Sequence, residues 1–153
     1  MNRLELGVGV KPLFEDSVKH DRIKHGDYID IAWDLNKLFW PWAMGEFDEI
    51  WAIDVFEHLE LQPQEWLDDC HRLLTSGGRL EIRVPAWDNP LSYRDPTHRR
   101  VFHEESFYYW DPRTNLYEDF GRYYFAESAR WWNVQEVRRE ANDIRVSMVK
   151  LDS

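Results

Sequence analysis

Arg3-Leu4-Glu5-Leu6-Gly7-Val8-Gly9 alternates polar and apolar residues over its first four positions and then runs into two glycines. The alternation predicts a short strand. The glycines predict a turn whose backbone amides can approach a ligand with no Cβ in the way. Val10-Lys11-Pro12 comes next, and the residue before a proline is pushed away from the α region, so no helix starts there.

Further strands follow the same logic. Ser17-Val18-Lys19-His20 reads as a second strand ending at Asp21, and Tyr28 to Trp33 as a third ending at Asp34. Glu49-Ile50-Trp51-Ala52-Ile53 is a fourth, apolar enough for burial on both faces, and ends at Asp54. Pro63 to Leu74 repeats Trp66, Leu67, Cys70, Leu73 and Leu74 at helical spacing, with proline suited to the first turn and Ser76-Gly77-Gly78 as the stop. Arg79 to Val84 is a fifth strand closed by Pro85. From Ala86 to Ser128 the chain is loop-rich, with a short helix expected from Glu104 to Trp110. Trp131–Arg139 and Ile144–Leu151 then read as two strands joined by a turn at Ala141-Asn142-Asp143. Strands alternating with crossovers imply a mostly parallel sheet with helices on its faces. The expected fold is therefore α/β, Rossmann-like and doubly wound, with a C-terminal antiparallel hairpin. The absence of repeats and low-complexity linkers makes residues 1–153 one domain.

Open parallel sheets bind ligands beyond the carboxyl ends of their strands. Gly7 and Gly9, Asp21, Asp34 and Asp54 all fall there. A carboxylate at the second strand end can accept from both hydroxyls of a ribose. A dinucleotide site needs a third glycine and a helix N-terminus facing pyrophosphate. Neither is present, which argues against a nicotinamide-dependent oxidoreductase and for a nucleoside-bearing ligand without phosphates.

Three stretches are similar to motifs of the class I S-adenosylmethionine-dependent methyltransferases, in particular their short, type 11-like members. Leu4-Glu5-Leu6-Gly7-Val8-Gly9 resembles the first motif, Phe47 to Leu59 the fourth-strand motif, and Cys70 to Leu80 the helix, glycine turn and fifth strand that follow. The resemblance implies S-adenosylmethionine as cofactor. By position it puts Gly7 and Gly9 beside the methionine part, with Glu5 supporting that loop and the amino group. It puts Asp21 on the ribose, Asp34 and Leu35 at the adenine, and Asp54 near the methionyl amine and sulfonium. Asp30 rivals Asp21 if the second strand is really Tyr28 to Ile31. Lys11 stands where the family has a third glycine, and the helix after the first motif is nearly absent.

Methyl transfer from a sulfonium needs alignment, exclusion of water and sometimes removal of a proton, but no covalent intermediate. His58, just after the fourth strand, is a candidate general base on a hydroxyl or amine acceptor, or with Glu57 a brace for the following helix. His98, in Asp95-Pro96-Thr97-His98-Arg99-Arg100, is a second catalytic candidate, in a loop that Asp95 and Thr97 side chains could equally hold. His98, His103 and Glu104 match no ligand spacing, so no metal is expected. Asp88-Asn89-Pro90-Leu91 is superficially like the motif of amino-methylating DNA enzymes, but it follows the fifth strand, and Leu91 cannot stack on a flipped base.

The composition is globular, 43% hydrophobic and 31% charged over 153 residues. A net charge of −10 argues against a nucleic-acid partner, since such binding runs on Lys and Arg. Nine tryptophans, seven tyrosines and eight phenylalanines supply a core and allow an aromatic-lined pocket. Cys70 is the only cysteine, which fits the reducing cytoplasm, and no apolar run approaches the ~20 residues that span a bilayer. The expectation is a cytoplasmic methyltransferase for a small-molecule or sugar-type acceptor. The alternative is a cofactor-binding or interaction protein of the same fold without catalysis.

Overall fold

The computed structural model describes residues 1–127 and 130–152. Seven strands form one sheet: β1 (Arg3–Leu6), β2 (Val18–Asp21), β3 (Ile31–Ala32), β4 (Phe47–Ile53), β5 (Leu74–Pro85), β6 (Trp132–Glu140) and β7 (Asp143–Lys150). Their order is β3-β2-β1-β4-β5-β7-β6. The first five run parallel, and β7 is antiparallel to both β5 and β6. The sheet thus winds one way from β1 to β3 and the other way from β4, and it closes in the expected hairpin.

Registry places apolar side chains in one continuous layer. Leu4 pairs with Ile50, Ile50 with Leu80, and Leu80 with Met148, all fully buried. Against this layer packs α1 (Pro63–Leu73), which buries Trp66, Leu67, Cys70 and Leu73 completely. Each such side chain contributes about 1.5–3 kcal/mol by leaving water. Pro63 occupies the first turn, and the Glu65 carboxylate accepts from the Gln62 amide at 2.8 Å, so a donor left over at the helix start is satisfied. Trp66 stacks on Phe56 with ring centres 3.9 Å apart, tying α1 to the segment after β4.

The opposite face is polar. Arg3 pairs with Glu49 at 2.6 Å, Arg79 with Glu81 at 2.9 Å, and the Ser147 hydroxyl donates to Glu81 at 2.8 Å. Helices were expected on both faces; among the described residues α1 is the one α-helix of more than four residues, and α2 (Leu91–Arg94) and α3 (Arg122–Tyr124) are single turns. Residues 7–17, 22–30 and 33–46, which join β1 to β2, β2 to β3 and β3 to β4, contain no helix. Gly7, Gly9, Pro12, Gly26, Pro41 and Gly45 interrupt them at intervals too short for a stable helix. No helix among the described residues is long and apolar enough to cross a membrane.

Other boundaries moved. The third strand, expected over Tyr28–Trp33, is only Ile31–Ala32, because Asp30 turns its carboxylate onto the Lys19 amide at 2.8 Å, and Ile29 closes a turn onto Gly26. The short helix expected from Glu104 is a single 3-10 stretch, Ser106–Trp110. Ser128, the end of the loop-rich region, lies outside the described residues.

The β6–β7 hairpin closes through Ala141 and Asn142, with Glu140 opposite Asp143. Ala141 sits at φ +55°, a left-handed conformation that costs an L-residue roughly 1–2 kcal/mol. Glycine suits the first position of such a turn. Ala141→Gly is expected to stabilise the protein by about 0.5–1 kcal/mol after its own entropy cost. A rise in the midpoint of urea unfolding with an unchanged slope checks it.

Candidate functional site

The site is built at the carboxyl ends of β1, β2, β3 and β4. Gly7 turns the chain at φ +56°. A Cβ there would meet Val55 Cγ2 at 2.8 Å, so the backbone approaches the segment after β4 as only glycine permits. Across the sheet, the Gly7 amide donates to His20 Nδ1 at 3.1 Å and the Gly9 amide to Asp21 Oδ2 at 2.8 Å. His20 Nε2 in turn donates to the Trp33 carbonyl at 2.8 Å. One imidazole therefore spans β1, β2 and the end of β3, and it does so as the neutral ring.

The loop after Gly9 is held from beneath. Glu5 is buried and accepts from the Leu13 amide at 2.6 Å, the Phe14 amide at 3.3 Å and the Ser17 hydroxyl. Its support of the loop is thus direct.

Gly7, Asp21, Asp34, Leu35, Asp54 and His58 line one cleft of about 630 Å³. Gly9 does not line the cleft and is tied to it through its bond to Asp21. Glu5 lies instead on a neighbouring cavity of about 720 Å³ over the polar sheet face, with Gly7 and Asp54 bordering both spaces. Asp30 is outside the cleft, occupied by the Lys19 amide.

Burial favours the neutral acid at Asp21, but hydrogen bonds from His25, the Arg22 amide and the Gly9 amide outweigh it and hold the carboxyl below its usual range. Asp54 sits at φ +59° and is gripped by Arg83, with contacts of 3.1 Å to Nε and 2.5 Å to a terminal nitrogen. That partner was not legible in the sequence, because it depends on the β4–β5 register.

At the cleft mouth, His58 Nδ1 lies 2.9 Å from Thr97 Oγ1, and the Thr97 hydroxyl donates to Asp95 Oδ1 at 2.7 Å. His98 packs edge-on to His58 with ring centres 4.6 Å apart. It is buried behind His58 rather than lining the cleft, with Nε2 3.4 Å from Asp95 Oδ2. Glu57 is buried too, and desolvation pushes its carboxyl up to about 8. Burial and the adjacent His98 lower the pKa of His58. Neither Glu57 nor His58 caps α1, whose N-cap is Gln62. His103 and Glu104 stand apart from this group: His103 stacks on Trp87, and Glu104 pairs with Arg139. Asn89, in the segment compared with DNA enzymes, is buried and donates to the Asn142 carbonyl, a structural use.

The fold is the Rossmann-like one of the class I methyltransferases. The model of the methyltransferase domain family matches residues 14–82. No curated protein sequence matches the chain. Among solved structures, an S-adenosylmethionine-dependent methyltransferase from Aquifex aeolicus superposes with a TM-score of 0.62 and 15% identity, over 99% of this chain and 82% of that one. Phosphoethanolamine N-methyltransferase 1 of Haemonchus contortus, solved with phosphoethanolamine and S-adenosylhomocysteine, gives 0.65 and 12% over 99% of this chain and 39% of that one. The cyclase SpnF gives 0.64 and 12% over 97% and 74%. The resemblance carried by the three sequence motifs is borne out by that family model and by the fold.

The His20 bridge has a pH signature. Burial lowers its pKa, against the opposing pull of the Trp33 carbonyl and Asp21, so the folded state takes up a proton less readily than the unfolded chain does. Its contribution is complete above the unfolded value of about 6.5 and is lost as pH falls below it. His20→Gln is expected to cost about 1–2 kcal/mol at pH near 7.5, with the gap narrowing toward pH ~5. Paired urea titrations across that range check this, and a gap that is constant or widens on acidification would refute it.

Proposed function

We propose that this protein is a methyltransferase that moves the methyl group of S-adenosylmethionine onto a small-molecule or sugar-type acceptor by in-line transfer. The observation that supports this most is the single cleft shared by Gly7, Asp21, Asp34, Leu35 and Asp54. Its donor set suits a nucleoside joined to a cationic amino acid: carboxylates for ribose hydroxyls and for positive charge, and Leu35 as an apolar border. No helix lies between β1 and β2, so none there turns its N-terminus to the cleft to receive a pyrophosphate.

In this reading Asp21 holds the ribose, and Asp34 and Leu35 flank the adenine. The Gly7 and Gly9 backbone passes beside the methionine part, Glu5 keeps that loop and the amino group's surroundings in place, and Asp54 stands toward the amine and sulfonium. When bound, the cofactor would supply a methyl group already activated on sulfur, and the proton released by the acceptor would pass to His58 Nε2. His58, with Nδ1 occupied by Thr97, presents Nε2 to the acceptor, and His98 backs it. The fully buried free thiol of Cys70 fits a reducing, cytoplasmic setting.

A second reading, a protein that keeps the cofactor but not the chemistry, is favoured by one observation. The Asp54 carboxylate is already committed to Arg83 on two contacts. Methyl transfer to any member of an acceptor panel excludes it.

S-adenosylhomocysteine is expected to raise the melting temperature by mass action, and NAD to leave it unchanged. Asp21→Ala should weaken S-adenosylhomocysteine by about 1.5–3 kcal/mol in calorimetry. Unaltered affinity removes Asp21 from the ribose. His58→Ala should reduce turnover at least about tenfold, roughly 1.4 kcal/mol, while cofactor affinity holds. Joint loss of both would mean that His58 braces the site.

A further inference from the structure

We propose that Glu57, His58 and His98 form a binding site for one divalent first-row transition-metal ion of the zinc type, with Asp95 and Thr97 orienting the two imidazoles. One ligand atom of each of the three residues lies within 4.8 Å of those of the other two. They come from separate parts of the chain. Glu57 and His58 occupy the tight turn after β4, and His98 comes from the loop that follows α2.

Three features beyond proximity point to a cation. The first is uncommitted donors: Glu57 Oε1 and His98 Nδ1 are both buried without a hydrogen-bond partner. Buried polar atoms are nearly always satisfied, and two orphans in one cluster, one on a carboxylate that is 2% exposed, call for a partner. The second is orientation. Asp95 addresses both rings, His98 Nε2 directly at 3.4 Å and His58 Nδ1 through the Thr97 hydroxyl. That leaves His58 Nε2 and His98 Nδ1 free. Metal-binding histidines characteristically give their other ring nitrogen to a carboxylate or similar acceptor, which fixes the tautomer. The third is the donor set. Two imidazoles and one carboxylate suit zinc and its neighbours, and three protein ligands leave a position for another oxygen.

The distances ask for a modest closure. His58 Nε2 is 4.0 Å from Glu57 Oε2, against roughly 3.4 Å between donors on a tetrahedral zinc with bonds near 2.1 Å. Under about 1 Å of movement per donor achieves this, and the His58 ring is 38% exposed and able to make it. His58 also lines the cleft, so with the ion on His58 Nε2 it is the ion's remaining position, in place of the free imidazole nitrogen, that would face the acceptor. Resting on the methyltransferase reading, the site would select acceptors that offer a metal-binding oxygen, such as a vicinal diol, whose bound hydroxyl is easier to deprotonate.

The test uses the metal alone. The purified chain, stripped with EDTA and dialysed, is titrated with Zn²⁺ and, separately, with Co²⁺. One equivalent of zinc retained through gel filtration, with visible absorption from the cobalt form, is the expected result. Glu57→Gln, nearly isosteric with a buried acid, His98→Gln and the more exposed His58→Ala should each weaken zinc at least about a hundredfold. Asp95→Asn should weaken it about ten- to a hundredfold, and His103→Ala should leave it unchanged. S-adenosylhomocysteine binding serves as the fold control. No stoichiometric zinc on the wild-type chain, or equal retention by the Glu57 and His98 variants, overturns the site. Zinc retained without S-adenosylhomocysteine binding would sink the methyltransferase reading and leave the cation site standing.

Discussion

The Glu5 carboxylate is almost wholly buried at the end of β1, and two amides and a hydroxyl from residues 13–17 converge on it. Hydrogen bonds to an ionised group contribute about 1.5–3 kcal/mol each, and a buried charge without them would be strongly unfavourable. In a sheet of this kind a helix normally returns the chain from β1 to β2. Here no helix is present, and the return path is fixed by that carboxylate instead. Phe14 is carried with it onto Trp51 and Arg3, which covers part of the polar sheet face. The Gly7–Gly9 turn is therefore held from both ends: by Glu5 through the loop, and by His20 and Asp21 through the neighbouring strand.

The consequence is a sheet with unequal faces. On one side, Leu4, Ile50, Leu80 and Met148 are sealed by α1 and by aromatic residues from the later loops. On the other, ion pairs and half-exposed rings meet solvent. Parallel strands usually need cover on both sides. This sheet manages with one because most of the residues of β4, β5 and β7 on the open side are charged, polar or aromatic, as Glu49, Trp51, Glu81, Arg145 and Ser147 illustrate, with Ile53 and Val149 as the aliphatic exceptions. The fully apolar reading of β4 missed this: Trp51 is apolar by composition but lies half-buried on the polar face beside Arg145.

What could be read from the sequence was whatever depends on local pattern. Alternation marked β1 and β5, helical spacing marked α1, and a turn signal between two β-rich runs marked the hairpin; β1, α1 and the hairpin appear within a residue or two, while β5 begins at Leu74, five residues before the expected Arg79, and takes in the Ser76-Gly77-Gly78 stop. The strand-end aspartates were legible for the same reason, since each closes an apolar run. What stayed hidden depends on register. That Arg83 faces Asp54, that His20 reaches both Gly7 and Trp33, and that Glu57 lies next to His98 are cross-chain facts, and no spacing along the sequence encodes them. The short β3 was obscured by Asp30, whose carboxylate competes with the ladder it precedes.

The absence of a helix between β1 and β2 bears, through electrostatics, on which ligands the cleft suits. A pyrophosphate is doubly anionic and is commonly met by the partial positive charge and free amides of a helix N-terminus. A sulfonium carries charge of the opposite sign and is better served by carboxylates than by a helix N-terminus. A chain that keeps Asp21, Asp34 and Asp54 around one cleft can therefore dispense with the helix, provided something else fixes the glycine turn. Glu5 meets that condition. A nucleoside sulfonium of the proposed kind has no pyrophosphate for such a helix to meet, so a cleft without that helix is compatible with the proposed site.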